Sequence, residues 1–425
     1  MATSAELKQN ILNGGYDQAF AKLYGADTAT VAAQRVRYVD MIDHFEENFG
    51  TGRTVCLYSA PGRTEIGGNH TDHNNGVVIA AAVNLDIIAV VAKNDENVVR
   101  VISHGFGKID DVNLRDLTPQ PVEAEHSASL IRGVAAGIVK DGGKVGGFDC
   151  YTTSNVLRGS GLSSSAAFEV CIGAILRGEY NNNDMEKFNQ VKIAQIGQYA
   201  ENVYFGKPSG LMDQMASSVG GLVFIDFADP RAPIVEKVDF DFSHCGHTLC
   251  IIDSHASHAD LTDEYAAIPT EMKQVAAFFG KEVLNDVDEQ AFYASLPALR
   301  ESCGDRAVLR AMHFFEENQR VKFQVRALHN DNFSAFLTYV NDSGRSSWLK
   351  LQNVTALGAA KHQEMAFTLA LCKKLLNGEG AVRVHGGGFA GTALAFVPND
   401  RFAEFKAGVE QALGEGSCHA LKIMD

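Results

Sequence analysis

The run Gly159-Ser160-Gly161-Leu162-Ser163-Ser164-Ser165-Ala166-Ala167 leads without a break into the apolar stretch Phe168–Leu176. No other segment limits the local structure of this chain so tightly. Small side chains let a backbone close around an anion, and the first N–H groups of the following helix have no intrahelical partner. The positive end of the helix dipole lies at the same place and favours phosphate. The serine hydroxyls add donors, one of them suited to ligate magnesium. A tight glycine turn with serine caps satisfies the same residues, so the run alone leaves both readings open.

Composition narrows the partners. The chain has 425 residues, 46% hydrophobic, a length that suits two or three domains with sizeable cores. Its net charge of −15 lacks the broad basic footprint that nucleic acid or anionic lipid attracts, leaving room only for a local cation facing a small anion. The start, MATSAELKQN, has no signal-peptide pattern. The apolar run Val77–Val91 contains Asn84 and Asp86 and falls short of the ~18 apolar residues of a membrane span. Eight cysteines without a CxxC make no disulfide framework. The expectation is a cytoplasmic protein with reduced thiols, binding neither nucleic acid nor membrane. His244, Cys245, His247, His255 and His258 match no standard zinc spacing, and the sole tryptophan, Trp348, is expected to pack.

Apolar periodicity predicts helices over 28–48, 161–177, 184–204, 266–280, 308–328, 358–376 and 400–413. In the first of these Val31, Val36, Val39, Met41 and Phe45 form the apolar set. Strands are expected over 54–59, 77–91, 247–253, 382–385 and 392–397. No regular βαβ beat appears, which favours α+β over a doubly wound sheet. Gly220-Gly221 and the stretch Pro230–Pro233 break the pattern, dividing the chain into 1–225 and 226–425.

Three further segments carry chemistry. Ala60–Gly76 reads as a polar, glycine-rich loop holding Arg63, Glu65, Asn69, His70, Asp72 and His73. That inventory suits a polyhydroxylated ligand while an arginine meets an anion; a solvated turn-rich loop fits as well. Asp213, flanked by Leu211, Met212 and Met215, is expected to be partly desolvated. Its pKa would rise unless a cation opposed it, and such a group can accept a proton from a hydroxyl. A helix cap is the plainer role for a lone aspartate. Gly386–Gly391 matches G-x-G-x-x-G, but a strand follows it, whereas a dinucleotide fingerprint opens a helix.

Together, Ala60–Gly76, Gly159–Ala167, Glu201 with Gly210–Gln214, Asp253–Tyr265 and Arg383–Gly391 resemble, in order, the sugar-kinase branch of the galactokinase, homoserine kinase, mevalonate kinase and phosphomevalonate kinase (GHMP) superfamily. Within that branch the galactokinase family matches best. The resemblance implies a two-domain α+β fold with the active site between the domains. It also implies ATP and Mg2+ as cofactors, and transfer of phosphate from ATP to galactose to give galactose 1-phosphate. Asp213 would accept the proton of the anomeric hydroxyl, and Arg63 would neutralise charge at the phosphoryl group. Gly159, Ser160, Gly161, Leu162, Ser163, Ser164 and Ser165 would wrap the ATP phosphates, with Ser165 and Glu201 placing magnesium. Asn69, His70, Thr71, Asp72, Gly210 and Tyr265 would line the sugar, and the C-terminal glycine motif would support neighbouring loops. The partners are then a sugar and ATP, the state a monomer with oligomers left open.

Five departures bear on the sugar. The family has glutamate where this chain has Asn69, and Arg-Val-Asn-Leu-Ile where it has Arg63-Thr64-Glu65-Ile66-Gly67. His73 replaces a tyrosine, Ala390 replaces a glycine, and Ser343–Ser347 replaces a His-Ser-Leu segment. An amide at 69 both donates and accepts, which makes the site less hostile to a substrate carrying a carboxylate or other acceptor. Galacturonate, N-acetylgalactosamine and arabinose therefore stay open as substrates, as does a non-catalytic sugar and ATP sensor.

Overall fold

The structure, a computed structural model, describes residues 2–156, 161–207, 209–257 and 261–424. Two sheets organise them. The first comprises β1 (Ala2–Thr3), β2 (Thr54–Gly67), β3 (Val77–Lys93), β4 (Val98–Ser103), β5 (Ile109–Asn113), β6 (Phe148–Ser154), β7 (Leu222–Asp226) and β8 (Ile234–Lys237). Its order is β1-β2-β3-β6-β4-β5, with β7 pairing β3 and β8 pairing β7. The second has the order β10-β11-β9-β12, built from β9 (His247–Asp253), β10 (Ala381–Val384), β11 (Thr392–Pro398) and β12 (Cys418–Leu421). This is the α+β architecture expected from the sequence.

The long apolar run becomes β3, which shows why it lacks a polar face. Ile79, Ala81, Val83, Ile87, Ala89 and Val91 enter one core, while Val78, Ala80, Ile88, Val90 and Ala92 face cores on the other side. A strand covered on both faces reads as continuous rather than alternating. Asp86 within it is buried and held by Arg37 Nη1 at 2.7 Å and Tyr24 Oη at 2.5 Å.

Elsewhere the sequence expectation needs correction. Strand β2 does not stop at Ser59 but runs on to Gly67, with register shifts between Pro61 and Arg63 and between Glu65 and Gly67. Arg63 and Glu65 thus sit on a bulged strand rather than in a loop. The helix expected from 161 starts at Ser164, and that expected over 184–204 is an α-helix Gln190–Tyr199 continued by a π-helical turn, Ala200–Phe205. In the helix Thr28–Phe49 the buried set is Tyr38, Met41, Ile42 and Phe45, with Val36 outside. Trp348, expected to pack, is 50% exposed on a π-helical turn, Ser347–Leu351.

The two sheets are tied by the end of the chain. Beyond β12, Ile423 bridges to Val83, Asn84 N donates to the Lys422 carbonyl at 2.9 Å, and Met424 N donates to the Ala82 carbonyl at 2.9 Å. Helix Asp305–His329 packs beside β2 and β3 and carries His313 and Glu317, both buried, toward the site described below. Among the described residues no helix is long and apolar enough to cross a membrane.

Candidate active site

Strand β2 and the start of helix Ser164–Tyr180 meet at a backbone contact. Arg63 N donates to the Leu162 carbonyl at 3.1 Å, and a Cβ on Gly62 would lie 3.0 Å from the same oxygen. Glycine at 62 permits this approach. Gly161 lies in the left-handed region (φ 73°), as does Ser163 (φ 55°), so the chain turns sharply before the helix begins. Gly159 and Ser160 lie outside the described residues. Leu162 is buried, while Ser164 and Ser165 occupy the first helical turn, whose N–H groups are free of intrahelical bonds.

Asp213 stands in the first turn of helix Met212–Val219 and is reached from both sides of this junction. Arg63 Nε donates to its Oδ1 at 2.7 Å, and the Ser163 hydroxyl donates to its Oδ2. Arg63 also donates to the Gly161 carbonyl. Burial pushes the Asp213 carboxyl up, but the Arg63 charge, the Ser163 hydroxyl and the Lys207 charge together hold it below the usual carboxylate range. The cation that the sequence required beside this aspartate is Arg63, 150 residues away.

Glu201 forms a second centre. On its π-helical turn it accepts from Ser165 Oγ at 3.2 Å, Lys207 Nζ at 2.8 Å, Ser209 Oγ at 2.6 Å and Gln214 Nε2 at 2.9 Å. Gln214 Nε2 also donates to Glu169 Oε2 at 2.9 Å, where burial and the nearby Glu201 charge push the Glu169 carboxyl well up. Sequence reasoning gave no role to Lys207, Ser209, Gln214 or Glu169. The available signal was Gln214's place directly after Asp213, which puts it on the same helix beside the site.

Asn69, His70 and Tyr265 gather around the C-terminal glycine segment. Asn69 Nδ2 donates to the Gly386 carbonyl at 2.6 Å, His70 Nε2 to the Gly387 carbonyl at 3.0 Å, and Tyr265 Oη to the Gly388 carbonyl at 2.9 Å. Burial, and then the nearby His73, pushes the His70 imidazole down to about 3, so it is neutral at physiological pH. The Gly387 carbonyl places its proton on Nε2. That leaves Nδ1 a buried acceptor without a partner among the described residues. Thr71 Oγ1 turns inward, donating to the carbonyls of Gly68 at 2.9 Å and Val77 at 2.7 Å. Asp72 lies against Gly210, where a Cβ would collide with its carboxylate. Asp72 thereby links the turn that follows β2 to the Asp213 segment.

Of the histidine cluster, His244 pairs with Asp241, His247 meets the Cys245 carbonyl and His255 bonds Ser417, while His258 lies outside the described residues.

A helix N-terminus thus stands beside an arginine–aspartate pair on this two-sheet fold. The family model "GHMP kinases N terminal domain" matches residues 129–221, and "Galactokinase galactose-binding signature" matches residues 43–93. The chain is 32% identical over 365 residues to the galactokinase of Actinobacillus pleuropneumoniae serotype 5b, covering 84% of this chain and 88% of that one. It is 30% identical over 358 residues to the galactokinase of Glaesserella parasuis serovar 5, with the same coverage of both chains. Lactococcus lactis galactokinase complexed with galactose superposes with a TM-score of 0.77 at 24% identity, covering 91% of this chain and 98% of that one. Methanococcus jannaschii mevalonate kinase gives 0.62 at 14% identity, covering 88% and 99%. The chain belongs to the galactokinase family and is a phosphotransferase acting on a sugar hydroxyl.

Proposed function

We propose that the protein is an ATP-dependent galactokinase that phosphorylates the anomeric hydroxyl of galactose. The observation that carries this reading is Asp213, held ionised by Arg63 and Ser163 at the mouth of a helix N-terminus. In the proposed reaction Asp213 takes the proton of the sugar hydroxyl as its oxygen bonds to the γ-phosphorus. The bond from that phosphorus to the β–γ bridging oxygen breaks, and ADP leaves with the electron pair. Phosphoryl transfer asks a protein mainly to position groups and stabilise charge. Arg63 and the N–H groups at the start of helix Ser164–Tyr180 meet that requirement, with Gly159–Ser165 as the proposed phosphate loop.

Ser165 and Glu201 offer a hydroxyl and a carboxylate oxygen 3.2 Å apart, hard donors of the class magnesium takes, so these residues fit the ion. Magnesium bound with ATP would neutralise phosphate charge. Lys207, already on Glu201, would stand beside the phosphates. His70, Asp72, Gly210 and Tyr265 form the proposed sugar wall, with Asn69 and Thr71 in the turn that carries it. The division at 225/226 with the site between the halves belongs to the same proposal, as do the cytoplasmic location and the monomer. The hydrogen bonds from residues 69–70 to 386–387 support it.

The test is a coupled ADP-release assay with galactose, galacturonate, N-acetylgalactosamine and arabinose, with the phosphorylated position of each product determined. Galactose is expected to give the highest kcat/KM and a 1-phosphate. A higher value for another sugar moves the substrate assignment, and no ADP release with any of them removes the reading.

A further inference from the structure

Asn69 is fully buried and its hydrogen-bonding capacity is taken up within the protein. Its amide donates to Glu65 Oε1 at 3.0 Å and to the Gly386 carbonyl at 2.6 Å. Its oxygen accepts from Asn353 Nδ2 at 2.8 Å and, more weakly, from Ser347 Oγ at 3.4 Å. An asparagine has two amide hydrogens and two acceptor lone pairs. Nothing remains to offer a ligand.

Glu65 is equally engaged. It pairs with Arg383, whose side chain is wholly buried and donates also to the carbonyls of Val384 at 2.9 Å and Ile66 at 3.3 Å. Asn353 closes the circuit, donating to the Gly387 carbonyl at 3.2 Å and accepting from Phe389 N at 2.6 Å through its own carbonyl. Contacts therefore run from β2 through Glu65 and Arg383 to β10. They return from the glycine segment through Asn69 to Glu65.

We infer that Glu65, Asn69 and Arg383 act as one interlocked strut in which Asn69 is a positioning residue that does not touch the sugar. It fixes Gly386–Gly388, and through their carbonyls His70 and Tyr265, against the sugar site. The inference rests on the sugar-kinase reading for what the site binds, while the strut stands on the geometry alone. It also accounts for the exchange of amide and carboxylate between positions 65 and 69 relative to the family pattern. The two positions cannot change independently. Glutamate at 69 would set two buried carboxylates against one guanidinium, and asparagine at 65 would leave Arg383 buried without a counter-charge. Removing one partner of a buried pair is far more damaging than replacing both.

The experiment is a double-mutant cycle on the full chain, comparing wild type, Glu65→Asn, Asn69→Glu and the double exchange by thermal unfolding. Each single change is expected to lower Tm by roughly 5 °C or more, and the double exchange to recover at least half of the summed loss. Singles within about 1 °C of wild type, or a double whose loss equals the sum, would overturn the strut. A second variant, Asn353→Ala, leaves the ion pair in place and serves if a single change fails to fold. It is expected to raise the sugar KM about tenfold, with the ATP KM within about twofold. Equal rises in both constants, or no rise in either, would show that the network does not act on the sugar site. Failure of the wild-type chain to phosphorylate any sugar would remove the functional reading while leaving the thermal cycle to judge the strut.

Discussion

Asp213 has two oxygens and two different partners, and each partner is expected to act differently on the proposed reaction. Replacing Asp213 with Asn keeps the shape and removes the proposed proton acceptor. Turnover is expected to fall at least ~100-fold, with the ATP dissociation constant within about twofold. A variant that turns over at a near-normal rate in the ADP-release assay would take Asp213 out of the mechanism. Arg63 is the largest of the influences that lower the Asp213 pKa. With Arg63 present the carboxyl stays ionised to below its ordinary value of about 3.9. In Arg63→Gln the carboxyl must titrate at higher pH, so the acid limb of the kcat/KM profile is expected to move upward. A profile that stays in place, whatever its height, would separate Arg63 from the ionisation of Asp213. The aspartate, the arginine and the serine run were all legible in the sequence, because each lies in a distinctive local setting. Lys207 and Glu169 were not legible. Each converges on the site through a contact from an ordinary-looking helix or loop.

At the scale of the element, Ser163 holds a left-handed backbone that side chains other than glycine adopt with strain. Ser163→Ala keeps that strain and loses the hydroxyl, whereas Ser163→Gly relieves it and loses the hydroxyl too. The glycine variant is expected to be about 1 kcal/mol more stable than the alanine variant in denaturant unfolding. Both should turn over more slowly than wild type, since Asp213 loses a donor in each. Equal stability of the two would show that the turn is not strained. Strand β2 shows where local reading of the sequence failed. Pro61 and Gly62 look like the end of a strand because proline supplies no ladder N–H and glycine weakens pairing. The bulge after Pro61 absorbs both, and pairing with β3 resumes at Arg63 and Ala82. The helices that were found have long periodic faces. Short strands such as β4, β5 and β12 carry too few residues to show a period.

For the molecule as a whole, β12 belongs to the second sheet, and the residues after it pair with the middle of the first. Heating should therefore give one calorimetric transition for the intact chain. Removing residues 422–425 leaves the N–H groups of Asn84 and Gly221 without their acceptors and uncovers the site of Met424, which is 3% exposed. The shortened chain is expected to melt roughly 5 °C lower and over a broader range. Two transitions in the intact chain would show that the sheets unfold independently. The acidic balance of the sequence argues against a nucleic-acid partner, but it carries no trace of this closure, which rests mainly on backbone groups.

Trp348 is the only indole in the chain, half in water, on the turn whose first residue, Ser347, reaches the Asn69 oxygen. The native protein thus contains one built-in fluorophore, a single residue along the chain from the network beneath the proposed sugar site. Its emission colour and its quenching by a small water-borne solute can be followed during titration with sugar, without a label and without turnover.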